Sequence, residues 1–195
     1  MNSLDETEPG LLSTVWESML MAVNKIEDWY TLVNIEKLVL PKLWSILRNG
    51  GQCCASVVYP NLLPFVSQFP KFNANVHNLY INFFTNMRQG FLVKSVQMSR
   101  SEMFAVTTSF VECLRYSILL NVNNEDLCDT LLKEQLMPLL ETCFKENAPM
   151  KHILFCEVTH LVRYWSKNRN NQEYKSYSYL IQEFWDRLDK LFDTL

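Results

Sequence analysis

His152, Cys156 and His160 are the most suggestive trio of side chains in this 195-residue sequence. They recur every four residues, so on a helix all three lie along one side, and zinc accepts both imidazole and thiolate. Eight residues of helix nevertheless span about 12 Å, too far for His152 and His160 to share one ion. A site there needs partners from elsewhere in the chain. A half-buried helix face, with Cys156 acting as a small hydrophobe, explains the trio without a metal. The remaining cysteines, among them the adjacent Cys53 and Cys54, form no C-x-x-C pair. A RING or zinc ribbon, which needs four clustered ligands, cannot be assembled from them.

Two carboxylate clusters invite acid–base readings, and both have simpler ones. Asp5, Glu6 and Glu8 lie in the acidic opening stretch MNSLDETEPG, expected to be a flexible tail over residues 1–10. Glu125, Asp126 and Asp129 stand at a predicted helix N-terminus, where the macrodipole favours negative charge. The sequence contains no G-x-x-x-x-G-K-[ST], no G-x-G-x-x-G and no G-x-S-x-G, so phosphate loops and a nucleophile elbow are excluded. His77, His152 and His160 have no serine or cysteine partner in a strained turn. No catalytic, cofactor-binding or metal-binding residue is therefore assigned, and an independent small enzyme ranks last among the readings.

One stretch mixes cations with rings. Arg163, Lys167, Arg169 and Lys175 stand beside Tyr164, Trp165, Tyr174 and Tyr177, a combination that can grip RNA backbone and stack on bases. Four charges over a dozen residues are few for phosphate-driven binding, and a polar inter-helix loop flanked by core aromatics fits better. Trp16, Trp44, Trp165 and Trp185 all fall on apolar stripes and read as core. Trp29, next to Tyr30, is less determined.

The elements that carry these residues are helices. Leu12, Val15, Trp16, Met19, Val23 and Ile26 follow three- and four-residue steps, after an expected chain break at Pro9-Gly10 and with Ser13 or Ser3–Asp5 as possible caps. A second helix is predicted from Asn34, its N-cap, to Arg48, with Pro41 forcing a kink or two short helices and Asn49-Gly50-Gly51 stopping it. Residues 52–70 read as two short helices, CCASVVY and NLLPFVSQ, with a corner at Tyr59-Pro60 and a close at Phe69-Pro70. Further helices are predicted over 76–92, over 101–121 with Ser101 as cap, and over 125–145 with Asn123 or Asn124 as cap. Two more follow Ala148-Pro149, over 150–167 and 174–193. Strand-type alternation is nearly absent. The fold class is all-α. A globular bundle and a HEAT/armadillo-like α-solenoid of stacked antiparallel helix pairs both fit, and pair lengths of about 40–47 residues favour the solenoid, spanning 11–195.

Composition narrows the function classes. Hydrophobic residues make up 48% of the chain, which argues against general disorder, and 18 basic against 21 acidic residues argue against a DNA- or RNA-binding domain held by bulk charge. The longest uncharged stretch, 49–70, holds three prolines and two glycines. Lipid demands a self-satisfied backbone, so a spanning helix is not expected there or elsewhere. The opening residues have no apolar core and do not resemble a signal peptide. Six cysteines without framework spacing suggest a reducing, cytosolic compartment.

Two segments go beyond generic helix. LVLPKLWSILRNGG (38–51) followed by YPNLLPFVSQFP (59–70) resembles the HEAT-repeat region in the N-terminal half of the listerin family, large RING-type ubiquitin ligases of ribosome-associated quality control. Gln68-Phe69 stands where that family often has Lys-Leu. Val15-Trp16-Glu17, Ile26-Glu27-Asp28, Phe110–Arg115 and Phe184–Leu188 extend the resemblance over about residues 13–192. The resemblance implies a cytosolic ubiquitin ligase acting on nascent chains stalled on the large ribosomal subunit, together with quality-control factors. It implies a zinc-binding RING that recruits a ubiquitin-conjugating enzyme, and this sequence contains none of that domain's ligands. It would therefore be a spacer or scaffold segment of the arm, without cofactor, membrane or DNA contact of its own. A severed repeat segment is expected to expose apolar faces at its first and last helices. An unrelated α-solenoid adaptor for transport or translation, and an RNA-binding module centred on 163–177, are the competing readings.

Overall fold

The computed structural model describes residues 8–26, 28–51, 54–72, 75–91, 98–121, 123–145 and 151–168, with isolated positions at 182, 186, 189–190 and 193. Among them there is no strand, so the all-α reading holds. The chain divides into two compact units, Met1–Cys113 and Leu114–Leu195.

The first unit opens with α1 (Pro9–Lys25). Pro9 is the first helical residue, where its missing N–H would have had no intrahelical partner anyway, so Pro9-Gly10 starts the helix instead of breaking the chain before it. Glu8 occupies the cap position and makes no side-chain cap bond, Ser13 lies inside the helix, and Ser3–Asp5 lie outside the described residues. α2 (Trp29–Leu32) is a single turn. Next comes a π-helical turn, Ile35–Val39, which runs into α3 (Leu40–Arg48). The Asn34 side chain accepts a hydrogen bond from the Lys37 amide at 3.0 Å, the cap expected of it. The irregularity at Pro41 takes the form of that π turn. Counted as continuous α-helix, the buried Ile35 and Val39 lie about a quarter turn away from Leu40, Leu43 and Leu47. A π turn closes i→i+5 bonds and absorbs this offset, so both sets face the core.

Gly50 (φ 64°) and Gly51 (φ 89°) then stop α3 in the left-handed region. α4 (Ala55–Val58), a 3₁₀ turn (Tyr59–Asn61), α5 (Leu62–Ser67) and α6 (Phe69–Phe72) follow as short pieces. Tyr59 was expected to leave the helical region before Pro60, yet it keeps φ −63°, ψ −45°. Its fully buried ring and a hydroxyl that donates to the Leu47 carbonyl at 3.2 Å hold it there. Phe69-Pro70 likewise opens a helical turn where a stop was predicted, with Pro70 in a first-turn position that needs no N–H.

α7 (Val76–Phe91) packs on α3, and α1 packs on α4 and α5. The α3–α7 approach is close at Gly90: a Cβ there would meet the Leu47 carbonyl oxygen at 2.0 Å. Arg48 Nε donates to Asn86 Oδ1 across the same contact. An aromatic chain fills the interior. Trp29 meets Phe65 and Phe72, Phe65 meets Phe69, Phe69 meets Tyr80 and Phe83, and Phe83 meets Phe84, with centroids 5.2–6.2 Å apart. Phe84 continues the chain to Phe110 at 5.5 Å.

α8 (Arg100–Leu120) carries the boundary between the units. Its cap is Ser99, not Ser101: Ser99 Oγ accepts from the Glu102 amide, and Glu102 Oε2 accepts from the Ser99 amide at 2.9 Å, a capping box. By length and composition α8 is long and apolar enough to cross a membrane, which the sequence was not expected to offer anywhere, and half of that stretch is buried inside the protein. The charge-free segment 49–70, by contrast, is broken into short pieces.

The second unit repeats the bent-helix theme. α9 (Glu125–Thr130) starts at Asn124, whose side chain accepts from the Leu127 amide at 3.2 Å. A second π turn, Leu131–Leu136, joins it to α10 (Met137–Lys145), again just before a proline, Pro138. Leu127 before the turn, Leu131, Leu132 and Leu136 within it, and Leu139 and Leu140 after it are all buried. α11 (Lys151–Asn168) packs on α10 through buried Leu154 and Val158. The helix predicted over 174–193 and the Ala148-Pro149 break lie almost wholly outside the described residues.

Candidate functional site: an apolar groove on the first helix

The sequence-derived candidates scatter when placed on the fold. His152, Cys156 and His160 all lie on the solvent face of α11, opposite Leu154 and Val158. The half-buried setting expected for Cys156 is therefore corrected: its side chain is exposed, because the buried stripe of α11 runs through the other face. Among the described residues no three His, Cys, Asp or Glu side chains converge as metal ligands would. Glu125 and Asp126 sit exposed in the first turn of α9, and Asp129 pairs with Lys133 one turn on at 2.9 Å. Glu8 stands at the start of α1, and Asp5 and Glu6 lie outside the described residues. Arg163 is exposed on α11; the rest of the 163–177 stretch has no described side chains.

Trp16 and Trp29 are buried and Trp44 is half-buried, as core residues should be, while the side chains of Trp165 and Trp185 are outside the described set. Burial, with a smaller contribution from the neighbouring Glu112 charge, pushes the Cys113 thiol far above its ordinary range. Burial first and Cys54 second do the same to the Tyr59 hydroxyl. Cys54 donates its thiol hydrogen to the Gly51 carbonyl.

The prominent surface feature is one that periodicity had assigned to the core. Of the expected α1 stripe, Leu12, Trp16 and Val23 are buried, joined by Leu20. Val15, Met19 and Ile26 instead line an open groove of about 490 Å³. Leu11, Thr14, Ser18 and Ala22 of α1, with Trp29, Leu32, Val33 and Val39 from the segment that follows, complete its lining. Every lining side chain is uncharged, and Leu11, Ile26 and Leu32 are exposed, at 54%, 49% and 80%. The sequence carries two apolar stripes on α1 without marking which of them is covered. Leu12, Trp16, Leu20 and Val23 form one stripe of α1, and Leu11, Val15, Ala22 and Ile26 form another beside it. A helix apolar on two faces has more surface to bury than one neighbour can cover.

Such a groove offers shape and hydrophobic contact, and no reacting group. The chemistry available to it is association with another apolar surface.

Comparison with known proteins bears on what kind of chain presents this groove. Residues 1–69 match the family model described as the N-terminal domain of the E3 ubiquitin-protein ligase listerin. Proteins named E3 ubiquitin-protein ligase listerin match nearly the whole sequence. The relative from Gallus gallus is 34% identical over 200 residues, covering 97% of this chain and 11% of its own length. That from Xenopus tropicalis is 33% identical over 196 residues, covering 95% and 12%. That from Drosophila melanogaster is 27% identical over 202 residues, covering 96% and 12%. No solved structure matches. The chain thus spans roughly an eighth of the length of these relatives.

Proposed function

Because the chain belongs to the listerin family, we propose that it is a scaffold segment of a listerin-type ubiquitin ligase, placed in the N-terminal part of a helical arm. The observation that carries this reading is a match that runs through both structural units, not through one motif. In this reading the helix pairs stack as a HEAT-like solenoid. A solenoid sets the distance and orientation between its two ends, because each repeat packs only on its neighbours. The arm would hold the ligase on large ribosomal subunits that carry stalled nascent chains, together with quality-control factors, in the cytosol. Ubiquitin transfer, the conjugating enzyme and zinc would belong to a RING outside these 195 residues.

The proposed division of labour has a direct test. In a full-length listerin carrying this segment, residues 11–145 are deleted. Retention on stalled large subunits in a sucrose gradient should be lost, while autoubiquitination with a free conjugating enzyme should persist. Retention that survives the deletion, or autoubiquitination by the 195-residue chain alone, would refute the scaffold assignment.

A further inference from the structure

The groove follows α1 from Leu11 to Ile26, a distance of about 22 Å along the helix axis. Of the seven large apolar side chains exposed among the described residues, five fall here and on the segment that follows: Leu11, Met21, Ile26, Leu32 and Leu38. Apolar surface concentrated in this way marks an association site. In the middle of the groove Thr14, Ser18 and Ala22 recur every four residues. Side chains this small let a second helix approach closely, and rows at four-residue steps are the ones that interdigitate between helices. An extended peptide fits less well, because no strand edge exists among the described residues for its backbone to join. A helix arrives with its backbone already paired. A small polar ligand lacks an anchor: the Thr14 hydroxyl donates to the Gly10 carbonyl of its own helix at 3.0 Å, and no lining side chain is charged.

Charge sets the sign of the partner. The first 40 residues carry a net charge of −5, while the remaining 155 carry +2. On the stretch that lines the groove, Glu17, Asp28 and Glu36 are exposed, against Lys25 and Lys37. We propose that the groove docks a basic amphipathic helix of a partner protein, which lays its apolar stripe over Thr14, Ser18 and Ala22 and turns its lysines and arginines toward the acidic surroundings. Hydrophobic contact supplies the affinity, and opposite charge selects the partner and speeds encounter. The docking surface belongs to the first unit alone and is independent of what the arm carries at its ends.

Fluorescence anisotropy with the whole 195-residue chain tests this. The probe is a labelled peptide of about 15 residues, with leucine at three- and four-residue steps and lysine elsewhere. It should bind with a Kd below about 10 µM. A peptide of the same composition, shuffled so that no helical stripe is apolar, should bind at least about tenfold more weakly, as should the striped peptide with glutamate in place of lysine. Ser18→Lys and, one turn away, Thr14→Lys each put a long cation in the groove at an exposed position, and each should weaken the striped peptide at least about tenfold. Ser45→Lys adds the same charge at an exposed site on α3 outside the groove, and affinity should stay within about twofold. Glu17→Gln with Asp28→Asn should weaken binding at least about threefold at low salt and less at high salt. No saturation by about 100 µM chain, equal affinity for the shuffled peptide, or equal effects of Ser18→Lys and Ser45→Lys overturns the proposal. So does retention of the chain on phosphatidylcholine vesicles, which would assign the apolar face to lipid.

Discussion

The block Tyr59–Phe69 and the outer face of α1 are both rich in apolar side chains, and they meet opposite fates. Tyr59, Leu62, Phe65, Val66 and Phe69 are completely buried. They join the aromatic chain and close the contact between α3 and α7. Val15, Met19 and Ile26 line an open groove. The most recognisable stretch of the sequence is thus a packing device, whereas the surface free to meet something else is written in ordinary apolar residues. Phe69 sits at the centre of that packing device: its ring contacts Phe65, Phe72, Tyr80 and Phe83.

Substitutions should separate the two regions sharply. The largest loss is expected from Phe69→Ala, which empties the centre of the aromatic chain and should cost about 3–5 kcal/mol in urea unfolding. Gly90→Val forces side-chain atoms against the Leu47 carbonyl and should cost at least about 1–3 kcal/mol by driving α3 from α7. Tyr59→Phe removes one buried hydrogen bond and should cost about 1 kcal/mol. On the groove, Leu32→Ser should change stability by less than about 0.5 kcal/mol, because little packing is lost at an exposed site. A loss at Leu32 as large as that at Phe69 would erase the distinction.

Titration sharpens it further. Burial raises the folded-state pKa of Cys113 above the ordinary thiol value of 9.0. The neutral thiol is the form that folding favours, so its contribution is intact below about pH 9 and falls as pH rises above it. Unfolding followed between pH 8 and 10.5 should show stability declining above about pH 9, with a shallower decline in Cys113→Ala. At neutral pH a thiol reagent should label the exposed Cys156 and spare Cys113 until the protein unfolds.

Periodicity made the helices legible, together with most inward residues of α7 and of the bent helix in the second unit, because a single wide stripe has only one way to be buried. It read Asn34 as a cap and left Asn123 and Asn124 as alternatives for α9, of which Asn124 caps, since a cap needs only a local oxygen three residues from an amide. It failed where tertiary contacts overrule a local rule: Tyr59 stays helical before proline because its ring and hydroxyl are held from a distance. The cap expected at Ser101 falls instead at Ser99, because the reciprocal bonds to Glu102 depend on where the helix begins. The groove was hidden for another reason. A residue on a three- or four-step stripe looks the same whether its neighbour is present or missing, so Val15 and Met19 could not be told from Leu12 and Trp16.

The two π turns carry a consequence for chain length. Each bent helix holds one residue more than its inward faces require, and the wide turn takes up the surplus. Removing a single residue from 35–39 together with Pro41→Ala, or from 131–136 together with Pro138→Ala, would leave an uninterrupted α-helix with the same side chains indoors. Among the described residues, these are two addresses at which the polypeptide can be shortened by one without rewriting its interior.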